Sequence, residues 1–274
     1  MTTLSEFKAL LVHREESRLY ITINRPEVKN AINADVTREL SAVADSVEDD
    51  PTIRTVIVRG SEGTFCAGGD IKGFKQSYES SPVEDGSEDP IAKGNRSFGD
   101  FLIQFNTLPA TTVGVIEGAA FGGGLGLTCV FDVTICMADT KFALSETGLG
   151  VVPAQIAPFV VQRLGLTTAR RIALTGARFD GNHAFEIGLV HFLVNTAEEL
   201  DDTLKKVLNG IGRCAPRANA ATKKILMDTV SRPIDEVLDD GSRAFAAQLR
   251  GPEGREGVQA FLDKRKAAWV ETVE

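Results

Sequence analysis

The chain has 274 residues, a formal net charge of −8 at pH 7 and 43% hydrophobic residues. This composition is typical of a globular protein with a sizeable core, and the acidic balance argues against nucleic acid or an anionic membrane as the main partner. The sequence shows neither a signal-peptide pattern nor a run of about 20 apolar residues, so we expect a cytoplasmic protein.

The amino-terminal half alternates strand and helix signals. Two extended stretches around the polar turn Glu15–Ser17 predict a β-hairpin. After Asn33, a plausible N-cap, apolar residues recur every three or four positions and predict an amphipathic helix. The apolar run RTVIVRG then predicts a buried strand. Residues 76–95 are rich in Ser, Glu, Asp, Pro and Gly, which predicts a mobile surface loop.

The second half begins with two more buried strands, TVGVIEG and VTICMAD, and a glycine cluster between them opens a helix. From about residue 155 the pattern is mostly helical. Alternating strands and helices with a helical end predict one α/β core over residues 1–200 and a helical C-terminal subdomain over residues 201–274.

The cysteines and histidines indicate no metal or disulfide framework. The four cysteines form no CxxC pair, which favours free, mostly buried thiols in a reducing cytoplasm. The three histidines lack metal-ligand spacing, so we expect no structural zinc.

The glycine cluster GAAFGGGLGLTCVFD spans Gly118 to Asp132. It matches neither the G-x-G-x-x-G dinucleotide pattern nor a P-loop. What remains is a strand, a glycine turn and a helix N-terminus, whose unpaired N–H groups can stabilise a developing oxyanion. The alternative is a tight turn packed against a neighbouring strand.

A second stretch, GTFCAGGDIKGF from Gly63 to Phe74, also follows a buried strand and starts a helix at Asp70. Two backbone donors from two such turns would form the pair that an oxyanion hole needs. Asp70 by itself is most simply a helix N-cap.

These two stretches, together with NRPEVKNAI, LSETGLGVVPAQIAPFVVQRLG, ALTGARFDG and REGVQAFLDKRKAAW, resemble the enoyl-CoA hydratase/isomerase (crotonase) family. The resemblance extends from about residue 8 to residue 270. It implies an α/β fold of stacked ββα units with a helical C-terminal trimerisation subdomain, in an enzyme assembled as a homotrimer or as a hexamer of two trimers.

The resemblance also implies catalytic roles. The two N–H groups of the family's oxyanion hole match Gly69 and Gly123. Family hydratases commonly carry two glutamates; the first position here is Gly126, and the second matches Glu146. Without the resemblance, Glu146 would be a surface acid near a turn. With it, Glu146 is expected to act as the single general acid/base.

The same resemblance implies a coenzyme A thioester as substrate, so that CoA is not a separate cofactor and no metal is needed. The residues expected to bind substrate or CoA are Lys29, Ala67, Asp70, Ile71, Lys72, Phe121, Lys264 and Lys266. The last two would come from a neighbouring subunit, and the alternative for them is a charged helix end.

Within the family, the motifs are most similar to the hydratases of 3-branched glutaconyl-CoA thioesters, with isohexenylglutaconyl-CoA the leading substrate and 3-methylglutaconyl-CoA the runner-up. Arg96 is a candidate for the distal carboxylate, with a solvated surface arginine as the alternative. Five phenylalanines are candidates for an apolar acyl pocket or for plain core: Phe74, Phe98, Phe101, Phe105 and Phe121. An enoyl-CoA isomerase and a catalytically silent CoA-binding homologue are the competing functions.

Overall fold

The computed structural model of the chain describes residues 7–80 and 89–273. Its strands are β1 (Leu10–Glu15), β2 (Arg18–Ile23), β3 (Thr55–Gly60), β4 (Thr111–Ile116), β5 (Ala119–Phe121), β6 (Val133–Met137), β7 (Lys141–Ala143), β8 (Arg178–Asp180) and β9 (Phe192–Val194). Its α-helices are α1 (Ala34–Asp49), α2 (Ile71–Ser80), α3 (Pro90–Thr107), α4 (Gly123–Cys129), α5 (Ala157–Thr175), α6 (Gly181–Glu186), α7 (Ala197–Gly212), α8 (Pro216–Asp228), α9 (Ile234–Arg250) and α10 (Pro252–Leu262).

Two sheets organise the chain. The larger has the order β1-β2-β3-β4-β6-β9, antiparallel between β1 and β2 and parallel elsewhere. The smaller sheet has the order β5-β7-β8. After β4 the chain passes to the smaller sheet with β5 and returns to the larger with β6, so that β4, β5 and α4 form one ββα unit. The expected crotonase-like α/β fold, a mixed sheet flanked by helices, is confirmed.

The amino-terminal elements agree with their sequence patterns. The hairpin pairs Leu10 with Ile23 and turns through Glu16, whose φ is 53°. Helix α1 begins after Asn33, whose side chain accepts a hydrogen bond from the backbone N–H of Val36 at 3.0 Å. The N-cap predicted from the sequence is therefore confirmed.

Both faces of the larger sheet are buried. On β3, Val56 and Val58 join the main core with α1 and α3, whereas Ile57 joins a second cluster on the opposite face. Helix α7 covers that second face with Leu200 and Leu208. Such double-sided burial explains why β3 is a nearly continuous apolar run. The division at residue 200 stays a prediction.

The prediction of a surface loop over residues 76–95 is wrong at both ends of that range. Residues 76–80 complete α2, and α3 begins at Pro90. The side chain of Asp89 caps α3 by accepting from the backbone N–H of Ile91 at 2.7 Å, and Pro90 occupies the first helical position, where a missing N–H costs nothing. The rest of that expectation, residues 81–88, lies outside the described residues.

Among the described residues, no helix combines the length and the apolar character needed to cross a bilayer. The four cysteines are free thiols; Cys66, Cys129 and Cys136 are buried, and Cys214 is exposed. The expectation of free, mostly buried thiols is confirmed.

Candidate active site

The two glycine-containing turns are joined through their backbones. Cys66 and Ala120 form an isolated parallel bridge, in which the N–H of Cys66 donates to Ala119 at 2.8 Å and the N–H of Phe121 donates to Cys66 at 3.0 Å. A β-carbon at Gly124 would lie only 2.8 Å from the carbonyl oxygen of Cys66. Glycine at this position therefore allows the amino-terminal turn of α4 to pack directly against the first turn.

The N–H groups of Gly69 and Gly123 have no acceptor within residues 7–80 and 89–273. Gly69 forms a bridge with Ile32 that uses the N–H of Asp70 and the carbonyl of Gly68, so that the N–H of Gly69 itself points away from Ile32. Gly123 is the first residue of α4, where an N–H has no intrahelical acceptor. Both donors can therefore bind a carbonyl oxygen.

The carboxylate of Glu146 packs onto the turn that precedes α4. Gly122 has φ 47° and ψ −114°, a conformation that favours glycine, and a β-carbon there would lie 2.8 Å from Oε1 of Glu146. The N–H of Gly122 donates to the carbonyl of Ala143 at the end of β7, which fixes the turn. Glycine at position 122 thus satisfies two requirements, the backbone conformation and the close approach of the carboxylate.

Glu146 occupies an environment that disfavours its charge. Its Oε2 is buried and has no hydrogen-bond partner among the described residues. Burial raises the pKa of the carboxyl group above its ordinary value, and the backbone N–H groups of Glu146 and Ser145 only partly oppose that rise. A raised pKa makes the carboxyl group a better proton acceptor when ionised than an ordinary surface glutamate is.

An isoleucine occupies the space next to Gly126, where family hydratases carry their first glutamate. A β-carbon at position 126 would lie 2.2 Å from Cγ2 of Ile156, whose side chain is buried. Among the described residues, Glu146 is therefore the carboxylate that packs on the turn before α4, and the apolar Ile156 occupies the position of a second. The role of Ile156 escaped the sequence analysis, because nothing local links it to a residue 30 positions earlier.

The phenylalanine candidates divide into two groups. Phe74 lies against Gly69, with its Cζ 2.5 Å from where a β-carbon would be, and Cζ of Phe98 lies 3.5 Å from the corresponding point at Gly123. Phe101 and Phe105 are instead fully buried and pack on each other, with ring centroids 5.5 Å apart. Their burial in the main cluster favours the plain-core alternative for these two rings.

Phe121 is half-buried and lies close to the first turn. Its carbonyl oxygen is 3.2 Å from the point that a β-carbon of Gly68 would occupy. Gly68 has φ 102°, so glycine is required there by its conformation as well as by the close approach of the backbone of Phe121.

Several residues expected to bind CoA lie together at the first turn. The carbonyl of Lys29 accepts from the N–H of Ala67 at 3.0 Å, and the side chain of Lys29 is exposed. Ile71 and Lys72, also exposed, follow in the first turn of α2. The structure thus brings four of the expected residues to one edge of the site.

The carboxylate of Asp70 is engaged within the chain. It pairs with Arg25 at 3.1 Å and accepts from the N–H of Gly73 at 3.4 Å, as expected for a helix cap. Burial would raise its pKa, but the Arg25 guanidinium and the backbone N–H groups outweigh that effect and lower the pKa. Asp70 is therefore ionised and stabilises the start of α2.

Lys264 and Lys266 lie on the exposed segment that follows α10. Lys266 lines a cavity of about 570 Å³ together with Arg213 and Trp269, and the described lining of this cavity includes no residue of either glycine turn. Within one chain, the structure does not bring these lysines to Glu146. Arg96, on α3, is exposed and forms an ion pair with Asp100 at 2.5 Å.

Comparison with known proteins identifies the family. The family model for enoyl-CoA hydratase/isomerase matches residues 13–272. The crotonyl-CoA hydratase of Syntrophomonas wolfei is 31% identical over 269 residues, covering 96% of this chain and 98% of that protein. The chain belongs to the enoyl-CoA hydratase/isomerase family, and it is an enzyme of that family.

Solved structures agree with this assignment. Pseudomonas aeruginosa AtuE superposes with a TM-score of 0.92 at 46% identity, covering 96% of this chain and 100% of that one. An enoyl-CoA hydratase/isomerase from Marinobacter aquaeolei gives a TM-score of 0.93 at 44% identity, with coverage of 96% and 100%. The similarity therefore extends over both the glycine-turn region and the C-terminal helices.

Proposed function

We propose that this enzyme adds water across the double bond of a 3-branched glutaconyl-CoA thioester, with isohexenylglutaconyl-CoA of acyclic terpene catabolism as the leading substrate. The runner-up is 3-methylglutaconyl-CoA of leucine catabolism. The observation that carries the proposal is the packing of Glu146 onto Gly122, one residue from the unpaired N–H of Gly123. The motif pattern around Gly126 supports the branch of the family.

In this mechanism the thioester carbonyl oxygen accepts hydrogen bonds from the N–H groups of Gly69 and Gly123. Glu146 takes a proton from water as the water oxygen bonds to the β-carbon. The π electrons of the double bond move toward the thioester oxygen and form an enolate, which the two N–H groups stabilise. Protonated Glu146 then returns its proton to the α-carbon, so that water adds to one face.

The environment of Glu146 suits this cycle. The carboxylate must be ionised to take the proton and neutral to return it, and a pKa raised by burial brings the two forms closer in free energy near neutral pH. Because one group performs both steps, no second glutamate is required, and the apolar Ile156 at Gly126 is compatible with the reaction.

CoA would be held at the edge of the site by Lys29, Ala67, Ile71 and Lys72, and its phosphates by Lys264 or Lys266 of a neighbouring subunit. A homotrimer, or a hexamer of two trimers, is supported by large apolar side chains that stand exposed on the C-terminal helices. These are Leu226, Leu238, Phe245, Leu249, Val258, Phe261 and Leu262. The buried thiols are consistent with a reducing cytoplasm.

Double-bond isomerisation is the second candidate, and one observation favours it. Ile156 fills the space at Gly126 with apolar atoms, so that position offers no second polar group to hold a water molecule opposite Glu146. A single carboxylate can instead remove a proton from one carbon of the acyl chain and return it two carbons away.

Product analysis separates these functions. The wild-type enzyme is assayed with crotonyl-CoA, 3-methylglutaconyl-CoA and isohexenylglutaconyl-CoA by the loss of conjugated-thioester absorbance, and products are identified by mass. The proposal predicts hydrated products and a higher kcat/KM for a branched glutaconyl thioester. Preference for crotonyl-CoA would refute the substrate class, and products of unchanged mass would favour isomerisation.

A further inference from the structure

A polar cluster lies where α3 meets the segment before α5. Gly99 is buried on α3, and a β-carbon there would lie 2.1 Å from Oε1 of Gln155 and 3.0 Å from Nη1 of Arg96. Nε2 of Gln155 donates to Oδ1 of Asn95 at 3.0 Å. The carboxamide of Gln155 therefore rests on the bare backbone of Gly99, with the end of the Arg96 guanidinium beside it. We call these four residues the Gln155 cluster.

The Gln155 cluster adjoins the candidate active site on two sides. Phe98, the residue before Gly99, lies next to Gly123. Ile156, the residue after Gln155, fills the space at Gly126. The Gln155 cluster is therefore joined through the backbone, on both α3 and the segment before α5, to residues that pack against α4.

We propose that Arg96 and Gln155 form the subsite that receives the distal carboxylate of the acyl chain, and that they determine specificity for it. This inference rests on the proposed function. A guanidinium group can bind both oxygens of a carboxylate, and a carboxamide N–H supplies a further donor at the same point. Glycine at position 99 matters because a larger side chain would displace the carboxamide of Gln155.

The present partners of these groups are easily exchanged. Arg96 pairs with Asp100, but the two side chains are 54% and 62% exposed, and such ion pairs contribute little to stability. Gln155 donates to the exposed Asn95. A substrate carboxylate that enters beside Phe98 can therefore take both donors at a small cost in lost interactions.

Binding of two saturated thioesters tests this subsite without relying on turnover. 3-Methylglutaryl-CoA and isovaleryl-CoA have the same branched skeleton and differ only in the terminal carboxylate. Calorimetry with the full chain should give the wild type roughly tenfold or greater preference for 3-methylglutaryl-CoA, the usual size of a hydrogen bond to a charged group. Arg96→Gln and Gln155→Glu should each reduce that preference and leave isovaleryl-CoA binding unchanged.

Gln155→Glu keeps the side-chain shape and places a like charge opposite the ligand, so a change in packing does not explain its effect. Arg38→Gln is the matched control, because Arg38 also forms an exposed ion pair within a helix, with Asp35 on α1. The control should keep the wild-type preference. Equal binding of both thioesters by the wild type, or an unchanged preference in both variants, would overturn the subsite.

The outcomes distinguish this inference from the proposed function. If the wild type hydrates glutaconyl thioesters selectively but the Arg96 and Gln155 variants keep the binding preference, only the subsite fails. If the preference depends on both residues but no glutaconyl thioester is hydrated, the subsite stands and the proposed reaction fails.

Discussion

The glycine-turn region and the C-terminal helices differ in how far their side chains are buried. Around α4 the backbone is packed so tightly that glycine is needed at Gly122, Gly124 and Gly126, and a carboxylate is buried against it. On α9 and α10, by contrast, Phe245 and Phe261 are 69% and 84% exposed. The first region is complete within one chain, whereas the second presents apolar surface that a single chain leaves uncovered.

Because of this difference, we expect substitutions in the two regions to affect different properties of the enzyme. Substitutions near Glu146 should change the reaction and leave assembly intact, because no subunit contact is needed to form that packing. Substitutions on the exposed faces of α8–α10 should change assembly first and the reaction only through it. Variants in each region test whether the two are separable in this way.

The largest effect is expected for Glu146→Gln. Removing the group that accepts and returns the proton should lower kcat by roughly 10²- to 10⁴-fold, while CoA binding and assembly persist. Steady-state kinetics with the best substrate measures the loss, and Glu48→Gln, an exposed change on α1, serves as control. Unchanged turnover with normal acyl-CoA binding would eliminate the catalytic role of Glu146.

Gly122→Ala should come next. The methyl group would meet Oε1 of Glu146, and a displaced base typically costs about 100-fold in kcat. The substitution also strains the backbone, because φ 47° with ψ −114° is a combination that glycine adopts readily and alanine does not. Gly176→Ala is the matched control, since Gly176 has φ 57° with open space around its β-carbon. The control should lose about 1–2 kcal/mol of stability, the cost of the left-handed conformation (φ 57°, ψ 33°) for alanine, and keep its activity. Equal activity in the two variants would refute the contact with Glu146.

Phe245→Glu should have a smaller effect on activity but should abolish assembly. A charge on the exposed face of α9 should dissociate the proposed oligomer, as seen by sedimentation velocity. It should also raise KM about tenfold, because the proposed CoA contact from Lys264 or Lys266 of a neighbouring subunit would be lost. Leu11→Glu, an exposed apolar residue on β1, should leave assembly unchanged. Retention of the wild-type oligomer by Phe245→Glu would place the interface elsewhere.

The smallest effect is a pH-dependent difference in stability between the wild type and Glu146→Gln. The folded-state pKa of Glu146 lies above its ordinary value of 4.5, so the native state binds the proton more tightly than the unfolded state does. The wild type should therefore lose stability relative to the variant as pH rises above 4.5. Thermal unfolding of both proteins below and above that pH measures the effect; a constant Tm difference would contradict the burial of the charge.

Local sequence determined the elements whose signals are short-range. The hairpin at β1 and β2, helix α1 with its cap Asn33, and the buried strands β3, β4 and β6 follow from alternation, periodicity and capping. The ends of α2 and α3 were missed because the composition of residues 76–95 suggested a loop, although Asp89 followed by Pro90 is a helix-start signal. Strands β8 and β9 are three residues each, too short for a clear period.

The tertiary structure alone decided how these elements form a site. The motif resemblance singled out Gly69, Gly123 and Glu146, but the bridge between Cys66 and Ala120 that helps to join the two turns is a tertiary contact. Ile156 packs against Gly126, 30 positions earlier in the chain. Gln155 packs against Gly99, 56 positions earlier. Local propensity carries no information about such contacts, because they arise from the packing of α3, α4 and the start of α5 against one another.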